Sequence, residues 1–140
     1  MSQILIFDGA MGTMLQQRGL APGQSPEELN LTMPQVVESV HLDYLHAGAD
    51  IVITNTFGGS RLKLQEYDLQ DRVAEINQKA VEIARGACRK AGHGQVAASL
   101  GPTGHFVSPV GDTSFDEMYE IYLEQARAIA LAQPDYYLLE

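Results

Sequence analysis

The chain has 140 residues, is 45% hydrophobic and carries a formal net charge of −9. That length suits one domain with its own core, and the apolar fraction excludes disorder as the main state. The acidic balance argues against nucleic acid, whose phosphates require clustered Lys and Arg. No run of about 18 apolar residues offers a membrane span, and Met1-Ser2-Gln3 lacks the basic start of a signal peptide, so a cytoplasmic location is expected. A single cysteine, Cys88, excludes an internal disulfide framework and a cysteine-rich zinc site within these residues.

Four short apolar runs read as strands: Ile4-Leu5-Ile6-Phe7, Ile51-Val52-Ile53-Thr54, Val96-Ala97-Ala98-Ser99-Leu100 and Tyr136-Tyr137-Leu138-Leu139. They are near-continuous rather than alternating, the pattern of parallel strands buried on both faces. Three helices are expected between them. The first, Pro34 to Ala47, opens on a proline suited to the first helical turn and stops at Gly48. The second runs from about Leu69 to Ala91, with Asp68 as its cap and Gly92 as its stop. The third runs from about Phe115 to Ala132, behind the capping-box match Ser114-Phe115-Asp116-Glu117. Strands alternating with helices imply βαβ units and a parallel sheet.

The connections are uneven. Those entering strands are short, as in Gly48-Ala49-Asp50 and Gln133-Pro134-Asp135. Those leaving strands are long: 9–33, 55–68 and 101–113. Long loops at the carboxyl ends of parallel strands are where α/β proteins place their sites. The fourth strand has no helix after it, and a full (β/α)₈ barrel needs about 250 residues. The chain is therefore half of such a barrel, a self-completing pair of copies, or a small open sheet.

Candidate site residues follow from those loops. Asp8-Gly9-Ala10-Met11-Gly12-Thr13 puts a carboxylate at a strand end, ahead of small residues whose backbone N–H groups can approach an anion. A tight turn with a capping Asp explains the same residues. It is neither a dinucleotide fingerprint nor a P-loop. Thr54-Asn55-Thr56-Phe57-Gly58-Gly59 offers hydrogen-bonding side chains at the second strand end, or a plain turn. Gly101-Pro102-Thr103-Gly104 has the same two readings. Glu140 ends the fourth strand, so Asp8 and Glu140 belong at one end of one sheet, where paired carboxylates bind an amine or do acid–base work. Of the histidines, His41 is expected at the margin of a helix face, His46 near a helix end, His93 in a turn, and His105 in a long loop on the functional side. No pair has metal-ligand spacing. Cys88 reads as core.

In this order, Asp8-Gly9-Ala10-Met11-Gly12-Thr13-Met14-Leu15-Gln16, Glu28-Leu29-Asn30, His41, Ala47-Gly48-Ala49-Asp50-Ile51, Thr54-Asn55-Thr56-Phe57-Gly58 and Gly101-Pro102-Thr103-Gly104 resemble the homocysteine S-methyltransferase family. The likeness is strongest to the homocysteine-binding domain of its cobalamin-dependent members and runs from Ile4 to Glu140. The resemblance implies a (β/α)₈ barrel, of which 1–140 is the N-terminal half, with four strands and three main helices. It implies methyl transfer to the homocysteine thiol, giving methionine. Methylcobalamin would be the donor, with cobalamin and folate domains as partners. It further implies that Asp8 and Glu140 take the substrate ammonium, that backbone N–H groups around Gly9 and Ala10 take its carboxylate, and that Asn55 and Thr56 line the same mouth. Family members bind zinc through three cysteines, and coordination makes the substrate thiol a thiolate near neutral pH. Those cysteines are expected beyond Glu140, so the 140 residues alone are expected to be inactive. A flavodoxin-like open sheet, or a half-barrel that self-associates through its edges, is the non-catalytic alternative.

Overall fold

A computed structural model describes residues 4–140; Met1-Ser2-Gln3, read above for a leader, lie outside the described residues. Among the described residues no helix is long and apolar enough to cross a membrane. The elements in chain order are α1 (Met11–Gln17), α2 (Leu29–Thr32), α3 (Pro34–His46), β1 (Ile51–Ile53), α4 (Arg61–Gln65), a 3₁₀ turn (Gln70–Arg72), α5 (Val73–Ala91), β2 (Gln95–Leu100), α6 (Phe115–Leu131) and β3 (Tyr136–Leu139). The strands pair in parallel in the order β1-β2-β3. Val52 stands opposite Val96, and Ser99 opposite Leu138. This is an α/β fold built on a parallel sheet.

The expected first strand, Ile4 to Phe7, is reduced to a single parallel bridge between Phe7 and Ile51. Asp50 N–H and Ile51 N–H both donate to the Ile6 carbonyl, at 2.8 and 3.1 Å, and Asp8 N–H donates to the Ile51 carbonyl at 2.9 Å. The Ile6 N–H turns instead to the Asp50 side chain at 2.9 Å, which ends the ladder. The expectation of strands buried on both faces holds for β1 and β2 but not for β3, where Tyr136, Tyr137 and Leu139 are exposed.

The helices pack on one layer of the sheet, with α5 lying between α3 and α6. Leu45, Val52, Val81, Ala84, Val96, Ala98, Leu100 and Ile129 form the core between them. A second cluster holds α1 and α2 on α3, through Leu15, Leu29, Val37 and Val40. The Ser114 hydroxyl caps α6 by accepting the Glu117 N–H at 3.1 Å. Gly92 closes α5 in the left-handed conformation, at φ +78°.

Two helix details differ from the sequence reading. Asp68 does not cap α5; it sits at φ +59° and closes α4, where the Leu69 N–H returns to the Leu64 carbonyl at 3.0 Å. The long helix then begins at Val73, behind the 3₁₀ turn. His41 is not marginal but fully buried in α3.

Candidate functional site

A cleft of about 400 Å³ opens at the carboxyl ends of the strands. Four stretches meet there: Asp8 to Gly12 after the bridge, Ile53 to Asn55 with Phe57 after β1, Ser99 on β2, and Glu140 after β3. Pro26 and Glu27, from the loop ahead of α2, complete the wall. Asp8, Gly9, Ala10, Asn55 and Glu140 are thus brought together. Thr56 is not; it lies fully buried beneath, its hydroxyl donating to the Ser99 carbonyl at 2.7 Å and pairing with the Thr54 hydroxyl at 2.7 Å. His105 is exposed and outside the cleft lining.

Asp8 is held at one oxygen. Its Oδ2 accepts the Ile53 N–H at 2.9 Å, while Oδ1 is buried with no partner. Burial pushes the Asp8 carboxyl up to about 7, the Ile53 and Asp8 N–H groups pull it back down, and the nearby Glu140 charge adds to the rise. Glu140 is aimed by the Ser99 hydroxyl, which donates to its Oε1 at 2.6 Å. An arriving ammonium would satisfy the bare Asp8 oxygen and offset the repulsion between the two carboxylates. At the neighbouring turn the Tyr44 hydroxyl donates to the Ala10 carbonyl at 3.0 Å, which fixes the start of α1.

Asn55 lines the cleft, but its amide N–H₂ faces inward. It donates to the Pro26 carbonyl at 2.7 Å and to Asn30 Oδ1 at 3.0 Å. Asn30 answers by donating to the Asn55 carbonyl at 2.8 Å. Glu27 is buried and accepts the Gly58 N–H at 2.7 Å and the Ser25 hydroxyl at 2.8 Å. Behind the same loop, Gln125 donates to the Thr56 carbonyl at 2.9 Å and Asn77 donates to the Gly59 carbonyl at 2.8 Å.

Glu27 and Ser99 border the cleft and Asn30 and Gln125 brace it; none was among the candidate site residues, although Asn30 stood in the Glu28-Leu29-Asn30 motif. Ser99 carried a signal, as the one hydroxyl in an apolar strand. Gln125 carried another, as an amide on the inward face of α6.

The homocysteine S-methyltransferase family profile matches residues 5–140. The chain belongs to that family. Over 99% of its length it is 35% identical to the methionine synthases of Mycobacterium tuberculosis (strain ATCC 25618 / H37Rv) and Mycobacterium leprae (strain TN), and it spans 12% of each of those proteins. The metallated form of the homocysteine methyltransferase MmuM from Escherichia coli superposes with a TM-score of 0.85 at 27% identity, over 99% of this chain and 54% of that one. Its oxidised form gives a TM-score of 0.82.

The zinc that the family resemblance implies does not fit the residues present. Among the described residues, no group of three His, Cys, Asp or Glu side chains is placed to hold a metal ion. Cys88 lies half-buried on α5, outside the cleft lining, with Sγ 4.0 Å from the Gln95 carbonyl. Burial, then the Asp135 charge, raise its thiol above the ordinary range, which suits packing rather than ligation.

Proposed function

We propose that these 140 residues are the homocysteine-binding half of a barrel that transfers a methyl group to the homocysteine thiol. The observation that carries this reading is the pairing of Asp8 and Glu140 across one cleft, in a chain of this family. In this reading Asp8 and Glu140 receive the substrate ammonium, and backbone N–H groups around Gly9 and Ala10 receive its carboxylate. Asn55 shapes the wall, and Thr56 supports the floor from below. The segment binds and orients the amino acid end of the substrate. Activation of the thiol falls to zinc-binding cysteines expected beyond Glu140, so the segment alone does not turn over. Methylcobalamin is the proposed donor of the whole protein, with cobalamin- and folate-binding domains as partners.

Exposed apolar residues at both sheet edges support the half-barrel. Ile4 and Ile6 lie beside β1, and Leu139 ends β3. The MmuM chain is about twice as long as this one in the match.

The test is homocysteine binding by calorimetry and methionine formation with methylcobalamin, in the full-length protein and in residues 1–140. The full-length protein should form methionine, with Asp8→Asn weakening homocysteine binding at unchanged zinc content. The 140 residues should bind weakly and form none. Equal affinity in Asp8→Asn, or turnover by the segment alone, would overturn the assignment.

A further inference from the structure

Two of the loops that line the cleft are distant in sequence yet joined. Asn30 and Asn55 exchange hydrogen bonds through Nδ2, one to a carbonyl and one to a side-chain oxygen, and Asn55 also holds the Pro26 carbonyl. These are neutral amide contacts. Glu27 is the one ionisable side chain in the join, and it spans 31 positions to reach the Gly58 N–H. It is 6% exposed and has no ion pair among the described residues. The Lys63 charge reaches it only from beyond contact distance, and a buried carboxylate with no cation in contact is costly unless hydrogen bonds compensate it. Here the Gly58 N–H and the Ser25 hydroxyl are those bonds, one on each oxygen. Bonds to a charged acceptor are about twice as strong as neutral ones, and burial strengthens them further. A Cβ on Gly58 would stand 2.8 Å from Glu27 Oε1, so the fit is made for a bare backbone N–H. Phe57, the residue before Gly58, faces the cleft.

We infer that Glu27 is a positioning residue: it clamps the Phe57-Gly58 peptide against the loop ahead of α2 and so sets the width of the homocysteine cleft. This rests on the proposed function above, because the cleft it shapes is the substrate cleft of that reading. Glu27 acts through Gly58 and Phe57, by geometry rather than by contact with the reacting atoms. Its charge strengthens the two hydrogen bonds, so a neutral acceptor of the same shape should keep the contacts at roughly half the strength.

The experiment compares Glu27→Gln, Glu27→Ala and the milder Ser25→Ala in the full-length protein. Steady-state kinetics for homocysteine are read together with backbone amide exchange at Gly58. Glu27→Ala should raise KM for homocysteine 10- to 100-fold, change kcat less than threefold, and speed Gly58 exchange at least tenfold. Glu27→Gln should fall between the parent and Glu27→Ala in both KM and exchange. Ser25→Ala should raise KM about threefold, and it carries the test if Glu27→Ala does not fold. Equal KM defects in the Gln and Ala variants would overturn the clamp in favour of a charge effect on the substrate. Fast Gly58 exchange with an unchanged KM would overturn its link to the cleft. Failure of the parent protein to methylate homocysteine would sink the function reading instead, and the exchange data would still report on the clamp.

Discussion

The Ser99 hydroxyl donates to the Glu140 carboxylate at 2.6 Å, across the β2–β3 pair, where Ser99 stands opposite Leu138. The bond fixes one oxygen of an otherwise exposed side chain beside the cleft. Ser99→Ala removes this contact alone, because the Ser99 backbone bonds to Thr54 and Thr56 do not use the hydroxyl. Releasing Glu140 costs part of a charge-assisted hydrogen bond, about 1 kcal/mol at a half-open site. Homocysteine binding should weaken about 3- to 10-fold with little change in melting temperature. Calorimetric titration of the full-length variant checks this, and unchanged affinity would remove Ser99 from the site.

Asp8 makes the empty cleft unfavourable at high pH. Its carboxyl ordinarily titrates near 3.8 and is pushed up to about 7 in the fold. Between those values the folded state holds a proton that the unfolded chain has lost. Stability therefore falls as pH rises from about 4 to 7 and stays reduced above that. Asp8→Asn keeps an oxygen for the Ile53 N–H and removes the charge. It should stabilise the substrate-free protein at pH 8 by about 1–2 kcal/mol, a figure reduced for solvent at the cleft mouth, and by much less at pH 4. Chemical denaturation at the two pH values reads the difference. A variant less stable than the parent at pH 8 would show that the Asp8 charge is already compensated.

His41 has the opposite slope. Both ring nitrogens are buried with no partner, and burial holds the ring down to about 4. Between that value and the ordinary 6.5 the unfolded chain binds a proton that the fold refuses, so stability is lost as pH falls through this window. At pH 5 the loss is about 2 kcal/mol relative to pH 7.5. His41→Leu should abolish that loss. Denaturation midpoints for parent and variant at pH 5 and 7.5 decide it, and parallel curves would mean that His41 finds a partner on protonation. The Asp8 and His41 windows overlap, so their slopes oppose each other between about pH 4 and 6.5, and only the comparison of each variant with the parent separates them.

The sequence made some of this legible and hid the rest for physical reasons. β1, β2, α3 and α6 announced themselves because continuous apolar runs and three-to-four spacing report burial directly. The meeting of Asp8 and Glu140 followed from both lying at carboxyl ends of parallel strands. His41 falls four residues from Val37 and from Leu45, on the buried stripe of α3, so its burial was readable from the helical period. The loss of the first strand was not readable, because it turns on one side chain, Asp50, capturing the Ile6 N–H. The short helices α1, α2 and α4 carry too few turns to show a period. Glu27 reaches Gly58 only once two loops have folded together, and no local pattern encodes such a contact.

Gly101 ends β2 where Phe57 crosses it, and the crossing leaves no room for a side chain. A Cβ there would lie 2.6 Å from the Phe57 carbonyl oxygen and 2.7 Å from its ring. The ring can rotate, but the carbonyl belongs to the loop that Asn55, Glu27 and Gln125 hold from several sides. The Gly101 carbonyl is fixed in turn by the Tyr122 hydroxyl at 3.1 Å. Neither backbone can yield without straining a hydrogen bond, buried on the Phe57 side and half-buried at Gly101, so Gly101→Ala should cost about 1–3 kcal/mol of stability. Phe57 lines the cleft, so homocysteine affinity should fall along with the melting temperature. The double variant Gly101→Ala with Phe57→Ala removes the ring contact and keeps the carbonyl contact. It should recover part of the stability lost by Gly101→Ala, measured against Phe57→Ala alone. Full recovery would place the clash in the ring, and no loss in the single variant would show that the two loops move apart freely.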